Sequence, residues 1–171
     1  MTIIQPASAI ADPELAALVD RAESLGVPDR RFCAILARVP GHAKALLRAM
    51  IVSHAEGGVA HRLKELIRIR LARIAGDPYF AGLRSRRALE EGLDEAAVEA
   101  ACGDFAADAR FSAAEKLALR YADCMYRRPQ ELDDAFYAEL KEHYTEAQIM
   151  ELGAFIAFHY GMQVFMSTLK A

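Results

Sequence analysis

Helix start and stop signals recur so densely along this 171-residue chain that they leave room for little other than helices. Asp12-Pro13 supplies an N-cap and a preorganised first turn for a helix through Ser24, which Gly26 ends. Pro28 opens a second helix to about Ala37, and Val39-Pro40 breaks it because a residue before proline avoids helical angles. A third helix runs from Gly41 to Ala55 and stops at Gly57-Gly58, and a fourth, Ala60 to Ala75, is dense in apolar and basic residues. Asp77-Pro78 is a further N-cap pair, starting a fifth helix that ends near Gly92, with a short one following from Glu95 to Ala101. Ser112-Ala113-Ala114-Glu115 and Thr145-Glu146-Ala147-Gln148 have capping-box spacing. They open helices to Arg127 and nearly to the C-terminus, with another from Asp134 to His143 between them. No convincing strand appears. The reading is all-α: one domain of about nine helices over residues 12–171, preceded by an aperiodic arm or tail over residues 1–11.

A chain that is 54% hydrophobic and 26% charged has a globular balance, far from compositions that stay disordered. Its net charge of −3 lacks the basic signature of nucleic-acid or anionic-membrane partners, and neither is expected. The most apolar stretch, Gly153 to Leu169, falls short of the roughly 20 residues of a membrane span and contains His159 and Gln163, so it reads as a buried core helix. Cys33, Cys102 and Cys124 are odd in number and form no C-x-x-C pair, which indicates neither a disulfide framework nor a thiolate zinc site and fits a reducing, cytoplasmic setting. Ala9-Ile10-Ala11 faintly resembles a signal-peptidase site, but no basic or long apolar region precedes it, so export is not expected.

Three places carry candidate chemistry. Glu65 shares a face of the fourth helix with Ile69 and Ala72, so it is either a half-buried acid–base group or one half of a structural ion pair with Arg68, Arg62 or another arginine. The helix start from Asp77 to Arg84 combines unpaired N–H groups with Arg84, Arg86 and Arg87, a pattern suited to a carboxylate, although Asp77 is also a good N-cap. Tyr79 there either donates a proton or packs its ring. In the last helix Glu151, Phe155 and His159 recur at i, i+4 and i+8, and His159 has the ordinary pKa for proton transfer near neutrality. The alternative is a core histidine satisfied by one hydrogen bond. None of His42, His54, His61 or His143 forms an H-x-x-x-H or comparable ligand pair, so no metal site is expected; no phosphate loop or nucleophile elbow is present. Cofactor-free chemistry is the default.

The run from Lys64 through Gly92 resembles the core of the carboxymuconolactone decarboxylase and alkylhydroperoxidase D-like family, which reads E, then twelve residues on C-x-x-C, then x-x-x-H. Glu65 falls on the family glutamate, Asp77 and Phe80 on the two cysteines, Tyr79 on a position sometimes occupied by histidine, and Arg84 on the histidine. Leu36-Ala37-Arg38-Val39-Pro40, Ala114-Glu115-Lys116-Leu117-Ala118-Leu119 and Glu146-Ala147-Gln148-Ile149 extend the similarity over most of the chain. The resemblance implies an all-α subunit that assembles as a homo-oligomer, a trimer or hexamer, and a pocket bordered by His159 and Tyr160.

The departures limit the chemistry. A carboxylate, a phenyl ring and a guanidinium cannot cycle between dithiol and disulfide, so peroxidase activity through a stray cysteine such as Cys124 is the weakest option. Decarboxylase-type members also lack the thiol pair and act on small cyclic acids and lactones. The expectation is therefore a cofactor-independent enzyme acting on a small organic acid or lactone. Glu65, Tyr79 and His159 supply its acid–base groups, and Asp77, Phe80, Arg84 and Tyr160 contact the substrate, with Arg84 anchoring a carboxylate. The rival is a non-catalytic oligomeric binding protein that has lost the thiol site.

Overall fold

The computed structural model describes residues 3–26 and 29–169. These form α1 (Pro13–Leu25), α2 (Arg30–Leu36), α3 (Pro40–Ala55), α4 (His61–Ile74), α5 (Pro78–Gly82), α6 (Arg86–Glu90), α7 (Glu95–Cys102), α8 (Ala113–Arg127), α9 (Asp134–His143) and α10 (Glu146–Thr168), with a 3-10 turn at Pro129–Glu131. The described residues contain no strand. Pro28, the expected opener of the second helix, lies outside the described residues; α2 is capped instead by Asp29, whose side chain accepts the Phe32 N–H. Asp12, Asp77, Asp94 and Asp133 cap their helices in the same way, each satisfying one N–H that the helix itself leaves unpaired. Both expected capping boxes, Ser112 with Glu115 and Thr145 with Gln148, close in both directions.

The helices are arranged around α4, which touches α5, α6, α7, α8 and α10. Leu66, Ile67, Ile69, Leu71 and Ala72 are fully buried, and so are Lys64, Glu65 and Arg68. A helix covered on nearly every side must find partners for its charges, and the neighbouring helices supply them. Arg70 makes a two-pronged pair with Asp123 of α8 (2.6 and 2.7 Å) and donates to the Ala101 carbonyl at the end of α7. Lys64 donates to Glu151 of α10 (2.8 Å) and to the Ser53 and Glu56 carbonyls. One apolar cluster joins α4 to α7, α8, α9 and α10; a second joins α1, α2 and α3 to Phe80 and Met166. The arm at residues 3–11 runs back over this second cluster, with Ala7 N–H donating to the Ala34 carbonyl and Ile3 N–H to that of Leu169.

The helix expected over 77–92 is two helices, so the described residues form ten helices where about nine were expected. Leu83 and Ser85 are extended where the chain should continue helically. The cause lies in α4. Arg68 draws the Phe80 and Leu83 carbonyls to its guanidinium (2.6 and 2.7 Å), and Glu65 accepts the Ser85 N–H (2.7 Å). These bonds take backbone groups that a continuous helix would have paired internally. Among the described residues, α10 alone has the length and hydropathy of a membrane span, but it buries His159 and Gln163 against other helices.

The turn between α3 and α4 requires glycine at one position. Gly57 has φ of +107°, and a Cβ there would stand 2.1 Å from Glu151 Oε1, the carboxylate that also accepts the Gly58 and Val59 N–H groups. Gly57→Ala should therefore lower unfolding free energy by at least about 2 kcal/mol in urea titrations, whereas Gly41→Ala, a helical position with open space around it, stays within about 0.5 kcal/mol. Equal effects at the two positions would contradict this account of the turn.

Candidate functional site

The break between α5 and α6 places Ser85 against the first turns of α4, beside His61, with His54 arriving from the last turn of α3 and His159 from the middle of α10. His54 Nδ1 is 3.3 Å from His61 Nε2, which is itself 2.7 Å from Ser85 Oγ. His159 lies edge-on to His54, with ring centroids 5.0 Å apart, and its Nε2 is 3.1 Å from Ser53 Oγ. Ser53 also donates to the Met50 carbonyl one turn earlier (2.8 Å). Phe155 covers the other side of His159 at 4.1 Å. Three imidazoles are thus buried together, and His54 Nε2 and His61 Nδ1 have no hydrogen-bond partner among the described residues.

In front of this cluster, α3, the Glu56–Gly58 turn and α10 enclose an open groove of about 940 Å³. Its walls are mainly apolar, including Val52, Phe155 and Phe158, and Ser53 lines it with His159 directly behind. Glu56 and Glu151 stand at its edge, the latter already engaged by Lys64 and two backbone N–H groups.

The residues singled out from sequence are distributed differently. Glu65 and Arg68 form a fully buried ion pair with two hydrogen bonds, 2.8 and 2.7 Å. Burial alone would push the Glu65 carboxyl up, but the Arg68 guanidinium, aided by the Ser85 N–H, holds it below its ordinary value. Asp77 caps α5, and Phe80 packs its edge against Phe32. The Tyr79 hydroxyl donates to Asp29, and burial followed by that carboxylate pushes the phenol far above its usual range. Arg84 pairs with Glu95 (2.8 and 2.9 Å) and donates to the Ala81 and Leu83 carbonyls. Tyr160 stacks on Tyr126 at 3.8 Å. Of this set only His159 stands at the groove wall through Ser53; the structure does not bring Tyr79, Arg84 and Tyr160 to it.

Ser53 and His54 carry no local motif that marks them, because their partners come from α10 and from across a turn. A readable signal existed for His61: His61-x-x-x-Glu65 is an i, i+4 pair of ligand-type side chains on one helix face. The cysteines do not form a second site. All three are free, and burial pushes each thiol up, Cys33 to about 12, away from the thiolate form that reacts.

No protein-family model matches the chain, and no curated protein matches it in sequence. Solved structures do match. Over the whole of this chain and 91% of theirs, the debrominase Bmp8 without ligand and a cysteine-to-alanine variant of it in complex with 2,3,4-tribromopyrrole superpose with a TM-score of 0.81 at 20% identity. An uncharacterized peroxidase-related protein from Silicibacter sp. TM1040 matches with a TM-score of 0.70 at 14% identity, covering 95% of this chain and 87% of that one. This is the alkylhydroperoxidase D-like fold. Within it, this chain buries the Glu65–Arg68 ion pair against the Phe80 carbonyl of α5 and the histidine cluster against Ser85.

Burial pushes the His54 imidazole down to about 3, His61 to about 4 and His159 well below its usual range. The Glu65 carboxylate opposes the shift at His54 and His61 without reversing it. An unfolded chain, with imidazoles near 6.5, binds more protons than the folded one from that pH down to about 4, so stability rises with pH across this window and is lost on acidification. Glu65, whose folded carboxyl is depressed, acts in the same direction at lower pH. In chelated buffer, unfolding free energy should fall between about pH 7 and 5, each histidine contributing at most about 1.4 kcal/mol per pH unit, and His159→Gln should flatten the slope. A flat wild-type profile would show that the imidazoles titrate alike in both states.

Proposed function

We propose that this protein is a small-molecule-modifying enzyme whose substrate lies in the groove between α3 and α10 and whose working pair is Ser53 and His159. The observation that carries this reading is the 3.1 Å contact between Ser53 Oγ, which lines the groove, and His159 Nε2 behind it. A neutral imidazole there donates to Ser53 Oγ while that hydroxyl donates to the Met50 carbonyl; in its other tautomer it accepts the serine proton, and the bond to Met50 is given up. Converting it to imidazolium is opposed by burial and by the neighbouring Lys64 and Arg68 charges. The pair is therefore better suited to polarising a neutral carbonyl or hydroxyl, with transient proton exchange through Ser53, than to holding a charge.

The lining narrows the substrate class. Aromatic and aliphatic walls favour a small ring compound, and the Glu56 carboxylate among the lining residues disfavours an added negative charge. We therefore favour a lactone or a neutral aromatic ring over a free organic acid, since Arg84, the expected carboxylate anchor, is engaged with Glu95. The small brominated ring bound by the structurally similar debrominase supports a ligand of this size and character. The reaction uses acid–base groups of the chain itself, in the manner of the decarboxylase-type members that the sequence resembles.

A thermal-shift panel of small lactones, neutral aromatics and matched carboxylates should give stabilising ligands among the first two classes. For a compound that is turned over, Ser53→Ala should reduce kcat by about a hundredfold or more while Arg84→Ala leaves ligand binding intact. Turnover unchanged in both Ser53→Ala and His159→Gln, or binding lost in Arg84→Ala, would overturn the assignment.

A further inference from the structure

His54, His61 and Glu65 take no part in the groove chemistry, yet their ligand-type atoms lie within 4.8 Å of one another in a fully buried position. Two imidazole nitrogens bound to one zinc ion at its usual bond length and tetrahedral angle stand about 3.4 Å apart. His54 Nδ1 and His61 Nε2 are separated by 3.3 Å. As a hydrogen bond that contact is long, and the single lone pair of His61 Nε2 cannot accept from both His54 and Ser85. Among the described residues the opposite ring nitrogens, His54 Nε2 and His61 Nδ1, are buried without partners; with the ring protons on them, both facing nitrogens present lone pairs to the space between the rings.

Glu65 completes the set. Its Oε1 accepts from Arg68 and from the Ser85 N–H, and its Oε2 accepts once from Arg68, which leaves one lone pair on Oε2 free. The nearby cations are already matched, Arg68 by Glu65 and Lys64 by Glu151. An ion therefore enters surroundings of no net charge and must be held by strong nitrogen donors rather than by excess carboxylate. This favours borderline ions over magnesium or calcium, which need many oxygens. We propose that His54, His61 and Glu65 form a binding site for a divalent transition ion, with zinc the ion whose geometry the donors match. Bound there, it would tie the last turn of α3 to the first turns of α4, behind the groove and separate from Ser53.

Protein stripped with chelator and titrated with Zn2+ should gain several degrees in Tm, saturating at one ion per chain. Co2+ should give the intense visible bands of a four-coordinate site, three donors from His54, His61 and Glu65 and the fourth a water carried in with the ion. His54→Gln and His61→Gln should each weaken Zn2+ binding by more than about a hundredfold, while the exposed His42→Asn and His143→Asn leave it unchanged. Circular dichroism establishes that each variant folds. A wild-type chain that takes up less than one Co2+, or shows only the weak bands of a six-coordinate ion, overturns the proposal whatever the variants do; so does full binding in both glutamine variants.

Discussion

The buried pair between Glu65 and Arg68 is the interaction on which the rest of this architecture depends. Two charges three residues apart on α4 are removed completely from water, a change that favours the fold only when every donor and acceptor is matched. They are matched. The guanidinium spends two further N–H groups on the Phe80 and Leu83 carbonyls, and the carboxylate takes the Ser85 N–H. The pair thus splits one expected helix into α5 and α6 and delivers Ser85 to His61. Loss of either partner would strand a buried charge and free a turn that touches α4, α5 and α6 together.

That constraint also decides where chemistry can occur. Around the helix start at Asp77, the side chains that stand where the resembling family carries its thiols and histidine have structural work: Asp77 caps, Phe80 packs and Arg84 binds Glu95. The groove lies on another side of α4, between α3 and α10, and meets the interior through Ser53. Burial keeps the imidazoles behind it neutral, because a protonated ring there would lose its hydration with no new partner to replace it.

Much of the fold was legible because it rests on local chemistry. Asp12-Pro13, Asp77-Pro78 and the two capping boxes act over three or four residues, and each appears where the spacing places it. Glu65 was readable as one half of an ion pair with Arg68 because both lie on one helix. The break at 83–85 was not, since its cause is a side chain fifteen residues earlier reaching across to backbone carbonyls. The site was harder still. Ser53 and His159 are separated by 106 positions, and nothing in the local pattern of α3 or α10 records that they meet. His54 and His61 face each other because the glycine turn at Gly57 brings the first turn of α4 beside the last turn of α3.

Our proposal assigns the substrate to the α3–α10 groove rather than to the start of α5. Amide chemical-shift mapping with a stabilising lactone or neutral aromatic ligand distinguishes the two places. Perturbations should concentrate on Ala49 to Gly58 and Ala147 to His159, with Asp77 to Arg84 largely unmoved. Shifts confined to Asp77 to Arg84 would contradict it.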